Sequence, residues 1–315
     1  MSAYTPIPAN RLPELRHTLV GYTRTVTAGL WASMLALREG GTFHIPTKWV
    51  HLPIPQIAQN LANDEADRLE RARLFSITPQ ATEEARQAGE LLPRFSLHPA
   101  HLPSPYGFLV WQDPIDTAAT DDGTVEPVVA CSWGPYDQDL VWVSFYVDGT
   151  AVRDRLSREV RDRIQLHTFG YEREILVPFG QGRWWSERPG MERAAREYEK
   201  PVRTLLATWL HMGQKRITET TEVDADRKTK VARTVAKRGR PLPSVRVVDL
   251  RPWQPCRSEA GASGRRLDKR VDVTAHWRRR PHTSGLEPDD MVWVRSHGRG
   301  PEDAPRAGGH IVTRV

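Results

Sequence analysis

The sequence predicts an α+β fold: a helical N-terminal part on a central antiparallel sheet, followed by a basic, β-rich C-terminal module. Three observations support this. Apolar residues recur at steps of three and four in residues 12–92, whereas aromatic and β-branched runs bounded by turn residues dominate residues 106–179. Acidic residues become rarer after residue 226. A chain of 315 residues can form one large domain or two of ordinary size.

Three N-terminal segments show helical periodicity, at residues 12–37, 56–74 and 79–92. The apolar stripes of the first two segments predict that Leu30 and Leu61 are buried. The charged residues within 64–71 are interpreted as a solvated helix face. Thr78 is the expected N-cap of the third helix, and Pro79 occupies its first position.

The next elements are strands, because β-branched and aromatic residues are concentrated between turn signals. Neighbouring antiparallel strands are predicted at 106–111, 128–133 and 140–147, and a further strand at 174–179. Helices are predicted at 151–166 and 191–212, and Pro201 should kink or split the second one. The last predicted strands are 245–250, 270–277, 291–296 and 310–315.

These elements suggest four regions along the chain. They are an N-terminal helical region (1–94), a central α+β domain (95–223), a basic helix or linker (224–244) and a basic β-rich module (245–315). Residues 224–237 form either a basic helix or a disordered arm. No apolar run of about 18 residues is present, so no membrane partner is expected, and with no signal-peptide pattern and two distant cysteines a cytoplasmic location is predicted.

Charge is distributed unevenly along the chain. The net charge is +6, yet residues 227–315 contain 21 Lys and Arg against 9 Asp and Glu. The preceding residues contain 24 Lys and Arg against 30 Asp and Glu. A basic end following an acidic front is typical of proteins that bind polyanions, so nucleic acid is the expected partner. The alternative is a basic face that is merely solvated.

Catalytic motifs are absent from the sequence. It has no phosphate-binding Gly-rich loop with Lys, no His-Glu-x-x-His, no Gly-x-Ser-x-Gly and no Cys-x-x-Cys. The histidines of the basic region are spaced too widely for a predicted metal site. Asp148, Glu172 and Glu174 are the nearest candidates for a metal-dependent nuclease, but their positions favour ordinary turn and strand-edge roles. We therefore expect no metal, no cofactor and no enzymatic activity.

The candidate nucleic-acid contacts lie around the run His276-Trp-Arg-Arg-Arg280 and in the basic segment before it. A tryptophan beside several guanidinium groups suits base stacking together with phosphate binding. The two tryptophans of the group have a second interpretation, as core residues of a small sheet. The predicted contacts are His276, Trp277, Arg278, Arg279, Arg280, Trp293, Arg295, Arg299, Lys228, Lys230, Arg233, Lys237 and Arg238.

The same run, followed by Val292-Trp-Val-Arg295 and Arg299-Gly-Pro-Glu-Asp-Ala-Pro305, resembles a C-terminal motif of uncharacterised phage and actinobacterial proteins. A related Gly-His-Trp motif ends the type V-A anti-CRISPR proteins, which lower production of the Cas effector nuclease. This chain has Ala275 where those proteins have Gly. Segments 102–111 and 205–210 are also similar, so the resemblance extends from about residue 95 onward.

The resemblance implies a non-enzymatic regulator from a mobile element or its host. Members of that family recognise an emerging N-terminal peptide during translation and bring about loss of the message. The expected partners are therefore RNA, a nascent polypeptide or the ribosome, with RNA favoured. A DNA-binding regulator and a metal-dependent nuclease are the alternative functions.

Overall fold

The computed structural model describes residues 4–37, 44–119, 125–150, 153, 166–180, 192–252, 269–279, 291–299 and 305. The α-helices are α1 (Leu12–Tyr22), α2 (Ala28–Leu37), α3 (Ile54–Arg71), α4 (Pro79–Glu90), α5 (Glu192–Met212) and α6 (Lys230–Lys237). The strands are β1 (Arg73–Ile77), β2 (Gly107–Trp111), β3 (Asp116–Ala119), β4 (Val125–Asp137), β5 (Leu140–Asp148), β6 (Phe169–Pro178), β7 (Thr218–Val223), β8 (Val245–Leu250), β9 (Val271–Val273), β10 (His276–Arg279), β11 (Met291–Val294) and β12 (His297–Arg299).

The predicted α+β class is confirmed. An eight-stranded sheet has the order β6-β5-β4-β2-β1-β8-β7, and β3 pairs with β4. The three strands predicted to be antiparallel neighbours are β2, β4 and β5. The sheet is mixed rather than wholly antiparallel, because β1 lies parallel to both β2 and β8.

Strand β1 was missed by the sequence analysis, which extended the second helix to Leu74. In the structure the helix ends at Arg71, and Ala72 has extended backbone angles. Leu74, Phe75, Ser76 and Ile77 are all buried, since both faces of this central strand are covered. A strand buried on both faces shows no alternation of apolar and polar residues, so periodicity did not distinguish it from helix.

Helices cover both faces of the sheet. Leu74 and Phe108 belong to a core shared with α1 and α3, whereas Phe75, Leu109 and Trp111 pack with α4 and α5. Successive side chains of a strand point to opposite faces, so neighbouring residues of β1 and β2 enter different cores. The sheet therefore separates an α1/α3 side from an α4/α5 side.

Residues of the predicted C-terminal module are part of this architecture. Strand β8, with which that module was predicted to begin, pairs with β1 inside the central sheet and with β7 at its edge. The antiparallel pairs β10–β11 and β9–β12 form two further small sheets. Trp277 and Trp293 of the first pair belong to the same buried core as α4 and α5. The module therefore shares its core with the central domain.

The first predicted helix contains a change of phase. A π-helical turn, Thr23–Thr27, lies between α1 and α2. Such a turn holds more residues than an α-helical turn, so it rotates the following residues around the helix axis. Trp31 is consequently 2% exposed whereas Leu30 is 49% exposed. The prediction that Leu30 is buried was wrong, and the prediction for Leu61, which is 2% exposed, is confirmed.

This phase change predicts opposite results for two leucine substitutions. We expect Leu61→Ala to lower the free energy of unfolding by about 2–5 kcal/mol, because it leaves a cavity in the core. The matched Leu30→Ala substitution should change it by less than about 0.5 kcal/mol, because the side chain already contacts solvent. Urea denaturation measures the free energy of unfolding of both variants. Equal losses of stability would contradict the exposed position that the π-helical turn gives Leu30.

Three other predictions concern particular segments. Helix α4 begins at Pro79 as predicted, and the Thr78 hydroxyl accepts a hydrogen bond from the Ala81 amide at 3.4 Å. Helix α5 runs through Pro201 without dividing. Apart from positions 153 and 166, the predicted helix at 151–166 lies outside the described residues, as does the predicted strand at 310–315. No helix in the described ranges has the length and apolar character needed to cross a membrane.

Candidate nucleic-acid interface

Helix α6 has defined ends. The Thr229 hydroxyl accepts a hydrogen bond from the Ala232 amide at 3.1 Å, which satisfies one of the free donors at the helix start. Gly239 follows the helix with a φ of 73°, a left-handed conformation that favours glycine and commonly terminates helices. Of the segment 224–237, residues 230–237 are therefore helical.

Contacts with the N-terminal region hold α6 in place. The Asp226 amide donates a hydrogen bond to the Asn10 carbonyl at 2.9 Å, and Ala232 is buried. Burial lowers the pKa of His17 in α1, and the positive charges of Arg16 and Arg238 lower it further while Glu70 raises it. The hydrogen bond to Asn10, just before α1, and the effect of the Arg238 charge on His17 place the α6 segment near the N-terminal half of α1.

The outward face of α6 and its flanks is strongly cationic. This segment, residues 227–240, contains no Asp or Glu, and all of its basic side chains are exposed. Only Arg227 forms an ion pair, with Asp224 at 3.3 Å, among the contacts of the described residues. That pair is highly exposed and contributes little stability. We call this set the α6 surface: Arg227, Lys228, Lys230, Arg233, Lys237, Arg238 and Arg240.

Trp277 and Trp293 have a structural role. They are 2% and 1% exposed, and their ring centroids lie 5.2 Å apart. The indole N–H of Trp277 donates to the Ala88 carbonyl at 2.7 Å, and that of Trp293 donates to Glu84 at 2.6 Å. Base stacking requires an exposed ring face, which neither residue has. The core interpretation therefore replaces their assignment as nucleic-acid contacts.

The other predicted contacts of this region differ in accessibility. Arg278 and Arg279 are exposed at the end of β10. Arg295 is engaged internally, since it lies 3.3 Å from the Glu84 carboxylate and donates to the Arg251 carbonyl at 2.9 Å. His276 contacts the Thr274 carbonyl through Nδ1 at 2.8 Å. Arg280 and the side chain of Arg299, which belongs to β12, lie outside what the structure describes.

The predicted contacts thus do not form one patch. Lys228, Lys230, Arg233, Lys237 and Arg238 lie on the α6 surface, beside α1. Arg278 and Arg279 lie on the strand that Trp277 anchors to α4. Because α1 and α4 pack on opposite faces of the sheet, the two cationic groups lie on different sides of the protein. The positions of these residues in the sequence could not show that they form two separate cationic groups.

His211 connects the tryptophans to α5. Its ring stacks on Trp277 at a centroid distance of 5.8 Å and lies 6.1 Å from the Trp293 ring. Burial lowers the pKa of His211 to about 3, and the charge of Arg295 acts in the same direction. The imidazole is therefore neutral where it packs against the two indoles.

Acid should weaken this packing through His211. The unfolded state takes up a proton near pH 6.5, whereas the folded state does so only near pH 3. Stability should therefore fall as the pH is lowered through this interval, by up to about 1.4 kcal/mol per pH unit. We expect His211→Phe to remove that part of the slope in urea denaturation, whereas His276→Phe should retain it. An unchanged slope in His211→Phe would contradict this role.

The carboxylates considered for a nuclease have local partners. Asp148 accepts hydrogen bonds from the amide and hydroxyl of Thr150, at 2.9 and 2.6 Å. Glu172 accepts from the Tyr198 hydroxyl, and Glu174 accepts from the Tyr171 hydroxyl and the His44 amide. No group of three potential metal ligands occurs within the part of the chain that is described. These carboxylates connect the strands to neighbouring segments.

The most buried ionic group was missed by the sequence analysis. Glu65 and Arg68, both assigned to a solvated face, are 1% and 7% exposed. Glu65 accepts hydrogen bonds from Ser132 and Tyr146 at 2.5 Å each, from Ser144 at 2.9 Å and from Arg68 at 2.8 Å. Its spacing was an available signal, because Ile57, Leu61 and Glu65 follow one another at steps of four.

No protein-family model matches the chain, and no curated protein matches it significantly.

Proposed function

We propose that this protein is a non-enzymatic regulator that binds RNA through the α6 surface. The observation that carries the proposal is the concentration of exposed cations on one helix and its flanks, of which only Arg227 is ion-paired among the described residues. Like charges held close together repel one another, so such a surface is most stable when a polyanion occupies it. Phosphate groups of a nucleic acid match this requirement.

The geometry of α6 supports phosphate binding in particular. Lys230, Arg233 and Lys237 are separated by three and four residues, so they share one face of the helix. The capped helix needs no folding step on binding, which reduces the entropy lost when a ligand is bound. Exposed Arg278 and Arg279 supply a second cationic group on the other side, where a long polynucleotide could make additional contacts.

The resemblance to type V-A anti-CRISPR proteins supports RNA over DNA as the target. That family acts during translation, so a bound message, ribosome or nascent peptide is the corresponding partner here. In this proposal the cationic α6 surface holds RNA, and binding lowers expression of the encoded target. Glu65 and the buried tryptophans maintain the fold that presents the surface.

The proposal is tested by sequencing the RNA and peptides that co-purify with the intact chain from its own host, and by equilibrium binding to single-stranded RNA and duplex DNA. We expect enrichment of particular messages and RNA binding that weakens linearly with the logarithm of salt concentration. Salt-dependent binding to the duplex DNA as tight as to the RNA would favour a DNA-binding regulator instead. Magnesium-dependent cleavage that disappears in Asp148→Asn or Glu174→Gln would favour a nuclease.

A further inference from the structure

An arginine and a tyrosine form an accessible pair where α3 ends. The guanidinium carbon of Arg71 lies over the Tyr106 ring, 5.5 Å from its centroid, and Arg71 donates a hydrogen bond to the Tyr106 hydroxyl at 3.3 Å. The Arg71 side chain is exposed, and it has no carboxylate partner among the contacts of the described residues. The ring therefore orients a guanidinium group that solvent can reach. We call these two residues the Arg71–Tyr106 pair.

Packing against the sheet positions the Tyr106 ring. Gly134 of β4 lies against it, since a Cβ at Gly134 would be 2.9 Å from Cδ1 of Tyr106 and 2.9 Å from Cδ of Arg68. The Tyr106 carbonyl accepts hydrogen bonds from the Arg73 amide at 3.0 Å and from the Ser104 hydroxyl at 2.7 Å. These contacts hold the ring in place before a ligand arrives, which reduces the entropy lost on binding.

The Arg71–Tyr106 pair lies on the same side of the sheet as α1. Phe108, two residues after Tyr106, belongs to the core shared with α1 and α3, and side chains two positions apart share a face. Arg16 of α1 donates a hydrogen bond to the Glu70 carbonyl at 2.7 Å, immediately before Arg71. The pair is therefore next to α1.

The α6 surface reaches the same region. His17 of α1 is within the electrostatic reach of both Glu70 and Arg238. Strand β8, which follows the α6 surface after residues 241–244, pairs with β1, and β1 pairs with β2 directly after Tyr106. Two strand spacings amount to about 10 Å. The Arg71–Tyr106 pair therefore adjoins the C-terminal end of the α6 surface.

From this arrangement we infer that the Arg71–Tyr106 pair stacks on an unpaired base of the RNA whose phosphates the α6 surface binds. The inference rests on the proposed RNA binding and gives its ligand class as single-stranded RNA. Bases of an RNA duplex stack on one another, whereas unpaired bases stack on aromatic rings and guanidinium planes of proteins. Every base has a face for stacking, so the pair adds affinity without requiring a particular sequence.

The test compares three labelled probes by fluorescence anisotropy with the full chain: an oligouridylate, an abasic ribose-phosphate strand of the same length, and an RNA duplex. Arg71→Lys keeps the charge but removes the guanidinium plane. We expect it to bind oligouridylate about tenfold more weakly than wild type with an unchanged salt slope, and to bind the other two probes as wild type does. Equal weakening on all three probes would overturn the stacking role.

A matched substitution on the same strand ends is the control. Arg73 is exposed, but strand alternation places it on the face of Phe75, which packs on the α4/α5 side. Arg73→Lys should therefore bind all three probes as wild type does. Tyr106→Leu removes the ring that orients Arg71, so it should weaken oligouridylate binding as Arg71→Lys does. Thermal unfolding verifies that each variant is folded.

The outcomes separate this inference from the proposed function. If folded Arg71→Lys binds oligouridylate as wild type does, while alanines at Lys230, Arg233 and Lys237 abolish the salt dependence, the α6 surface binds RNA and the stacking role is wrong. If wild type binds none of the three probes, both the proposed RNA binding and the stacking role are wrong.

Discussion

Replacing Lys230, Arg233 and Lys237 together by alanine is expected to weaken RNA binding about 100-fold at 0.1 M salt. Each phosphate contact with single-stranded RNA contributes roughly 0.7 to the slope of log affinity against log salt. Loss of three contacts should therefore lower that slope by about 2. Alanine is the strongest helix former, so α6 should remain intact. Fluorescence anisotropy with labelled RNA across a salt series measures both quantities.

Two comparison variants make this result specific. Thr234→Ala changes an exposed, uncharged position of the same helix and should leave affinity and slope unchanged. Arg278→Ala with Arg279→Ala removes cations from the opposite side of the sheet and should have the smaller effect. If the Arg278→Ala/Arg279→Ala variant loses the salt dependence of RNA binding while the α6 variant keeps it, the RNA contacts lie at β10. The assignment of RNA binding to the α6 surface is then wrong. If all three bind as wild type does, the α6 surface is only solvated.

Replacing Glu65 by alanine is expected to destabilise the protein by about 3–5 kcal/mol. The substitution leaves the Arg68 guanidinium buried without its carboxylate, and it removes the acceptor for Ser132, Ser144 and Tyr146. An unpaired buried charge costs more than the pair contributes, which is why breaking such pairs is severe. Urea denaturation monitored by circular dichroism gives the free energy of unfolding.

The companion substitutions distinguish charge burial from general damage. Asp67 lies on the same helix as Glu65 but is exposed. Asp67→Asn removes only an exposed ion pair with Arg24, so it should lower the free energy of unfolding by less than about 1 kcal/mol. Glu65→Gln should also destabilise the protein, because Arg68 loses its carboxylate. Adding Arg68→Met to Glu65→Gln should recover part of that lost stability, because no unpaired buried charge then remains. A Glu65→Ala loss as small as that of Asp67→Asn would show that the carboxylate is not buried as described.

The Glu65 carboxylate also predicts a dependence on pH. Its folded-state pKa lies below the usual value of 4.5, so its ionised form favours the folded state. That contribution is complete above pH 4.5 and is lost as the pH falls through the lower folded-state pKa. The stability difference between wild type and Glu65→Gln should therefore narrow on acidification below pH 4.5. A difference that widens would contradict an ionised Glu65.

Local signals were sufficient for much of the secondary structure. The Thr78-Pro79 start of α4 and the bounds of β8 depend on neighbouring residues, and both were predicted correctly. The three aromatic strands between turn residues were also predicted correctly, because each turn signal is local. The π-helical turn at Thr23–Thr27 has no comparable local signal, so Leu30 was placed on the wrong face.

The candidate site was predicted only in part. Sequence alone identified the charge excess and most of the cations that form the α6 surface. It could not show that α6 lies beside α1 while Arg278 and Arg279 lie beyond α4, because that separation depends on which face of the sheet each segment covers. Nor could it decide between stacking and core roles for Trp277, since the deciding contact is with the Ala88 carbonyl.

The sequence by itself determined the α+β class, most helices and strands, and the cationic character of the basic segment, because these follow from composition and from residues close in the chain. Tertiary structure alone decided the mixed order of the sheet and the burial of Glu65. The hydroxyl donors to Glu65 come from β4 and β5, at sequence separations of 67, 79 and 81 residues. A carboxylate on a charged helix is buried only where distant strands supply its partners, and periodicity contains no information about those partners.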